Sequence, residues 1–86
     1  MKMDTDTKLQ QVISVLEQLM EDTSVPRNIR RGATDCKERL LGKNEPLDVR
    51  TASAMHVLDE LANDPNIPLH GRTLIWNIIS QLEQIK

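Results

Sequence analysis

Tyrosine and phenylalanine are absent from this 86-residue chain, and Trp76 is its one aromatic residue. No platform of stacked rings of the kind that holds single-stranded nucleic acid can be built from it. Cysteine is nearly absent too. Cys36 stands alone, which excludes an internal disulfide and any C-x-x-C metal site. The histidines, His56 and His70, form neither H-x-x-x-H nor H-E-x-x-H. Gly32, Gly42 and Gly71 are scattered, so no glycine-rich loop offers successive amides to a phosphate. Charge of one sign is not in surplus: eleven Lys and Arg against thirteen Asp and Glu give a net charge of -2. The total therefore argues for neither nucleic acid nor an anionic membrane. No apolar run approaches the roughly 18 residues of a membrane span, and no signal segment opens the chain. These absences lead to the expectation of a soluble protein of a reducing cytoplasm. It is expected to have no cofactor, no metal, no small-molecule ligand, and no nucleophile and base that would make it an enzyme.

What is present is helical patterning. A chain of this length makes one domain, residues 1–86, with a small core and a flexible segment expected at 1–6. Pro26, Pro46, Pro65 and Pro68 separate stretches whose apolar residues recur at three-and-four spacing, and no stretch alternates like a strand. Four helices are predicted: about 7–21, 26–41, 46–62 and 68–85. The first buries Leu9, Val12, Ile13, Leu16, Leu19 and Met20; the second carries the narrow line Ile29, Ala33, Cys36 and Leu40. The third carries Leu47, Ala54, Met55, Leu58 and Leu61. The fourth carries Leu74, Ile75, Ile78, Ile79, Leu82 and Ile85, and being the most apolar it is expected to be the most central. On its line, Cys36 reads as a buried, unreactive thiol. His56 and Glu60 read as a solvated pair four residues apart, and His70 as a local polar contact in the first turn of its helix.

The connections repeat. Ser24, Asn44 and Asn66 each precede a proline by two residues, and Arg30, Arg50 and Arg72 each follow one by four. A longer match at an offset of 42 pairs Leu16 with Leu58, Leu19 with Leu61, Asp22 with Asp64, Val25 with Ile67, Pro26 with Pro68 and Arg30 with Arg72. Two similar helix hairpins follow. Short connections make neighbouring helices antiparallel, and two repeats are too few for a solenoid core. The expected fold is a compact all-α four-helix bundle of two similar antiparallel hairpins, with an open two-repeat stack of the HEAT kind as the alternative. Asp22 and Asp64 before each proline turn, with Arg30 and Arg72 after it, suggest structural bracing of the loops by arginine and carboxylate. Whether the proline or the residue before it begins each helix is left open by the sequence.

Charge is uneven along the chain: residues 1–22 sum to -3, 26–43 to +4, 44–64 to -4 and 65–86 to +1. The basic second helix offers Arg27, Arg31 and Arg39 as candidate nucleic-acid contacts, against the simpler reading of a basic helix fitted between acidic neighbours. Trp76 is the other oddity. At 100° per residue it lies about 160° from Ile78, the centre of the apolar stripe, with Arg72 about 120° away. The indole therefore either fills a groove of its own chain or anchors contact with a second one. Arg72, Trp76 and Glu83 are the candidate protein-contact residues, Arg72 being placed to stack on the ring.

V-P-R-N-I-R at 25–30, L-D-E-L at 58–61, N-D-P-N-I-P at 63–68 and H-G-R-T-L-I-W-N-I-I at 70–79 resemble the small archaeal proteins of uncharacterised protein family 0147. The resemblance runs from Leu9 to Ile85. It implies a compact all-helical domain of an archaeal cytoplasm and implies no activity. Family residues map onto Pro26, Arg27, Asn28, Arg30, Asp64, Pro65, Asn66, Pro68, Arg72, Thr73 and Trp76. Gly32 and Gly71 stand where the family suggests alanine, and Ile67 where methionine is common. The function expected is a small protein-interaction or self-associating helical module, a homodimer being one form; the alternative is a nucleic-acid-associated factor using the basic helix.

Overall fold

The computed structural model describes residues 5–85. Of the segment 1–6, residues 1–4 lie outside the described residues, and Thr5 and Asp6 already belong to the first helix. Four helices make up the fold: α1 (Thr5–Glu21), α2 (Arg27–Leu41), α3 (Leu47–Ala62) and α4 (Leu69–Ile85). The starts of α1 and α3 are 42 residues apart, and so are those of α2 and α4. The repeat seen in the sequence is thus a repeat of helix register.

Each proline stands just outside its helix. Pro26 and Pro46 are extended, with ψ of 151° and 156°, and no side chain caps either start. The residue before a proline is pushed out of helical angles, while the proline carbonyl is free to accept. It accepts from the arginine four residues on: the Arg30, Arg50 and Arg72 amides donate to the Pro26, Pro46 and Pro68 carbonyls, each at 3.1 Å. This is the first rung of each helical ladder.

Among the described residues, α1 packs on α2 and α4, and α3 packs on α2 and α4, with no contact across either diagonal. The ring is closed, which gives the antiparallel four-helix bundle and excludes an open stack, where α1 and α4 would be apart. The α1–α2 and α3–α4 loops therefore lie at one end and the α2–α3 turn at the other. Buried positions obey the repeat: Ile29, Ala33, Cys36 and Leu40 of α2 correspond to Gly71, Ile75, Ile78 and Leu82 of α4. Val12, Leu16 and Leu19 join Ala54, Leu58 and Ala62 opposite them, and Val25 and Ile67 plug the loop end. Thr51 is buried as well, its hydroxyl donating to the Asp48 carbonyl at 3.0 Å. The expectation that α4 is most central does not hold. It has two neighbours like every other helix, and part of its apolar content faces outward. Gly32 permits a close α2–α3 approach, since a Cβ there would stand 2.5 Å from Leu61 Cδ2.

Candidate functional site

The loop end is built twice by one device. After α1, the Asp22 carbonyl accepts from the Val25 amide at 3.1 Å while its carboxylate accepts from the Ser24 amide at 2.9 Å. After α3, the Asp64 carbonyl accepts from Ile67 at 3.2 Å and its carboxylate from the Asn66 amide at 2.8 Å. Each is a tight turn stiffened by its own first residue, the local role for which aspartate is suited. Each carboxylate then uses its second oxygen on the other hairpin. Asp22 Oδ2 lies 2.9 Å from His70 Nε2 in α4, and Asp64 Oδ2 accepts from Asn28 Nδ2 in α2 at 2.8 Å. Asn28 and His70 are themselves 42 apart, so the two hairpins clasp each other reciprocally. His70 is thus a contact between hairpins rather than a local one.

Serine, histidine and aspartate meet at one of these clasps. The Ser24 hydroxyl donates to Asp22 Oδ1 at 2.6 Å and lies 3.3 Å from His70 Nε2. The order differs from a catalytic triad, in which the serine gives its proton to one ring nitrogen and the aspartate holds the other. Here Asp22 binds both partners and Nε2 faces both oxygens, so the imidazole is not held as a base for the hydroxyl. The arrangement stabilises a carboxylate. The Ser24 hydroxyl first, then His70 and the Ser24 amide, hold the Asp22 carboxyl at about 2, below its ordinary 3.8.

The expected bracing involves the same residues, but its chemistry is different. Arg30 Nε donates to the Val25 carbonyl at 3.1 Å, and Arg72 Nε donates to the Ala62 carbonyl at 3.0 Å, with Nη2 3.5 Å from the Asp64 carbonyl. Arg50 repeats this at the other end, Nη1 donating to the Leu40 carbonyl at 2.7 Å. The guanidiniums serve main-chain carbonyls, not the carboxylates of Asp22 and Asp64. The carboxylates are taken by amides and by the opposite hairpin; Arg72 and Arg50 serve carbonyls at the ends of α3 and α2, which lack intrahelical partners, and Arg30 serves the carbonyl of the loop residue Val25.

The basic helix divides. Lys37 pairs with Glu17 of α1 at 2.8 Å, and Arg39 is engaged by Asp35 at 3.1 Å and by the Ser53 hydroxyl. Two of its cations are therefore fitted to neighbours within the fold. Arg27 and Arg31, four apart and exposed, have no side-chain partner among the described residues. A half-open cleft of about 360 Å³ lies at the α2–α3 turn between Asp35, Arg39, Glu45, Arg50 and Ser53. Two guanidiniums and two carboxylates balance there. Arg50 Nε is buried with no acceptor among the described residues. Cys36 is fully buried, its thiol 3.6 Å from the Ala54 carbonyl, and burial pushes it up to about 12. His56 lies 3.0 Å from Glu60 on the surface. Among the described residues no group of three or more His, Cys, Asp or Glu gathers to hold a metal, and no helix is long and apolar enough to cross a membrane.

The α4 candidates separate. Arg72 is half-buried and committed to carbonyls, so it belongs to the scaffold; Trp76 and Glu83 face solvent. Trp76 is 56 % exposed. Leu69, which sequence reasoning passed over because it falls beside the proline turn, is 73 % exposed on the same side, seven residues earlier. That spacing of two turns was the available signal.

The model of an uncharacterised protein family, UPF0147, matches residues 1–85. UPF0147 protein MJ1419 of Methanocaldococcus jannaschii is 51 % identical over 78 residues, covering 91 % of this chain and 84 % of that protein. UPF0147 protein PYRAB16980 of Pyrococcus abyssi is 49 % identical over 84 residues, covering 96 % and 98 %. Among solved structures, that of the protein of unknown function MMP1188 superposes with a TM-score of 0.96 at 46 % identity, covering 100 % of this chain and 98 % of that one. A UPF0147 protein from Thermoplasma acidophilum superposes with 0.90 at 44 %, covering 94 % and 95 %. The chain belongs to the archaeal uncharacterised protein family UPF0147.

Proposed function

We propose that this chain is a small cytoplasmic protein-contact module that presents the outer face of α4, with Trp76 as its anchor. The observation that supports this is the position of the chain's one aromatic residue: more than half exposed, on the same stripe as a more exposed leucine. Tryptophan dominates interface energies when it is covered, and an indole left in water forgoes that gain. Glu83 lies at the edge of the same face, where a charge can stay solvated while the centre is covered. The test is replacement of Trp76 by a photoreactive benzoylphenylalanine in the host cell, with the same residue at Arg31 as control. A discrete adduct from position 76 alone is expected. The reading is overturned if position 76 yields none.

A second reading rests on Arg27 and Arg31, which are exposed without partners and point from one face of α2. Two such cations can contact adjacent phosphates, giving weak, salt-sensitive binding of nucleic acid. Retention of labelled RNA or DNA at low salt that is lost in the doubly substituted Arg27→Ala, Arg31→Ala chain would support it. No retention at low salt dismisses it.

A further inference from the structure

The three helix joints share the proline-to-arginine spacing but differ in what closes them. Eleven, seven and one residue before the proline stand Val15, Leu19 and Val25 at the α1–α2 joint, and Val57, Leu61 and Ile67 at the α3–α4 joint. All six lie in the core or pack against it. At the α2–α3 joint the same positions hold Asp35, Arg39 and Glu45. These three line the half-open cleft of about 360 Å³, and Glu45, at the place of the plugs Val25 and Ile67, is exposed. Gly42 stands where Asp22 and Asp64 head the other two turns. The apolar seal of two joints is replaced at the third by charged side chains around an opening.

Those charges are unequally engaged. Arg39 is held by Asp35 and by the Ser53 hydroxyl, which ties the α2 wall of the cleft to the α3 wall. Arg50 makes a single hydrogen bond, from Nη1 to the Leu40 carbonyl; its Nε, which in Arg30 and Arg72 meets a carbonyl, is buried without an acceptor among the described residues. No ion pair among those residues includes Arg50 or Glu45. A half-buried guanidinium with unused donors and a carboxylate with unused oxygens thus line one cleft without meeting each other. A carboxylate matches the guanidinium, but Glu45 and Asp35 oppose the entry of a plain anion. A ligand with an ammonium beside its carboxylate suits both signs. The cleft falls within the range of about 300–1,000 Å³ usual for small-molecule sites. We infer that the cleft at the α2–α3 turn binds a small zwitterion of the free amino acid class, its carboxylate accepting from the Arg50 guanidinium and its ammonium donating to Glu45. The site is separate from the outer face of α4 and does not depend on the contact-module reading.

The experiment is a titration of the full chain, labelled with nitrogen-15, with the standard free amino acids added one at a time to about 10 mM, read from the backbone amide shifts. Saturable shifts centred on Gly42, Asn44, Glu45 and Ser53 are expected for at least one of them, with a dissociation constant of about 1 mM. For that amino acid, the N-acetyl form and the carboxamide form, each lacking one charge, should bind about tenfold more weakly or worse. Glu45→Gln should weaken binding to a similar degree, and Arg50→Met should abolish it. Should Arg50→Met fail to fold, Glu45→Gln still decides, because Glu45 is exposed and holds no partner in the fold. The inference is overturned if no amino acid gives saturable shifts at the cleft, or if Glu45→Gln binds as the natural chain does. It is equally overturned if a singly blocked form or inorganic phosphate binds as tightly as the amino acid, since the cleft would then take a single charge and not a zwitterion.

Discussion

Removing the guanidinium of Arg72 tests the account of the loop end most directly. Its Nε donates to the Ala62 carbonyl at 3.0 Å, while Nη2, at 3.5 Å from the Asp64 carbonyl, is at the limit of a hydrogen bond and adds little. Ala62 is buried and ends α3, so its carbonyl has no helical donor to replace the arginine. Arg72→Met keeps most of the aliphatic stem and deletes the donors. Hydrogen bonds to charged groups contribute about 1.5–3 kcal/mol net, so a loss of about 2 kcal/mol is expected. A domain of this size holds only about 4–13 kcal/mol in total, and at about 4–8 °C per kcal/mol the thermal midpoint should fall by about 8–16 °C. Arg72→Lys should recover part of this, since an ammonium can reach one carbonyl but cannot span two. Urea unfolding followed by helical circular dichroism provides the free energies. A loss under about 0.5 kcal/mol for Arg72→Met, as for an exposed residue, would refute the bracing and return Arg72 to the contact surface.

Three further outcomes are expected. Asp22 has a folded value of about 2 against an ordinary 3.8, so its contribution to stability is fully present above about pH 5 and is lost as pH falls through 2; the urea midpoint of Asp22→Asn should decline less steeply over that interval than that of the natural chain. Cys36 should resist a thiol-specific disulfide reagent at pH 8 until urea unfolds the chain, because burial holds it as the thiol; rapid labelling of the folded protein would contradict its placement. Gly32→Val should cost about 1–3 kcal/mol by driving a side chain into Leu61, and Leu61→Ala should relieve part of that cost, a coupling that a double-mutant cycle would measure.

The helices and their inward faces were legible because both are local properties. Proline and glycine mark the ends, and the narrow α2 line of Ile29, Ala33, Cys36 and Leu40 is the 3.6-residue period, all of it buried. Closure of the ring was less so, since it depends on α1 meeting α4 across the whole chain. The arginine partners were misread for a physical reason. Opposite charges at matched distances from a turn suggest an ion pair, but an aspartate at the head of a tight turn is first claimed by the amide two residues on, leaving Arg72 to the bare carbonyl at the end of α3 and Arg30 to the Val25 carbonyl in the loop. The Asp22–His70 contact spans 48 residues and has no local signature. The 42-residue repeat contains it indirectly, by making Asn28 and His70 equivalent positions. Thr51 was passed over because a hydroxyl that bonds its own helix can be buried like an apolar residue.

The repeat of register bears on where the chain needs to begin. Since α3 starts 42 residues after α1, the step from α2 to α3 through residues 42–46 has its counterpart in a step from α4 back to α1. In an antiparallel ring the end of α4 and the start of α1 lie at the same end of the bundle as that turn. A circular permutant that joins Ile85 to Thr5 through a linker of similar length and opens at Lys43 would present the same four helices in the order α3, α4, α1, α2. Every helix would keep its neighbours, and both clasps and both arginine contacts at the loop end would be untouched. Only Arg50 and the cleft around it would be disturbed. The order in which the two hairpins are synthesised is then separable from the packing they reach, and the contacts that specify this bundle lie mostly at the end where the two loops meet.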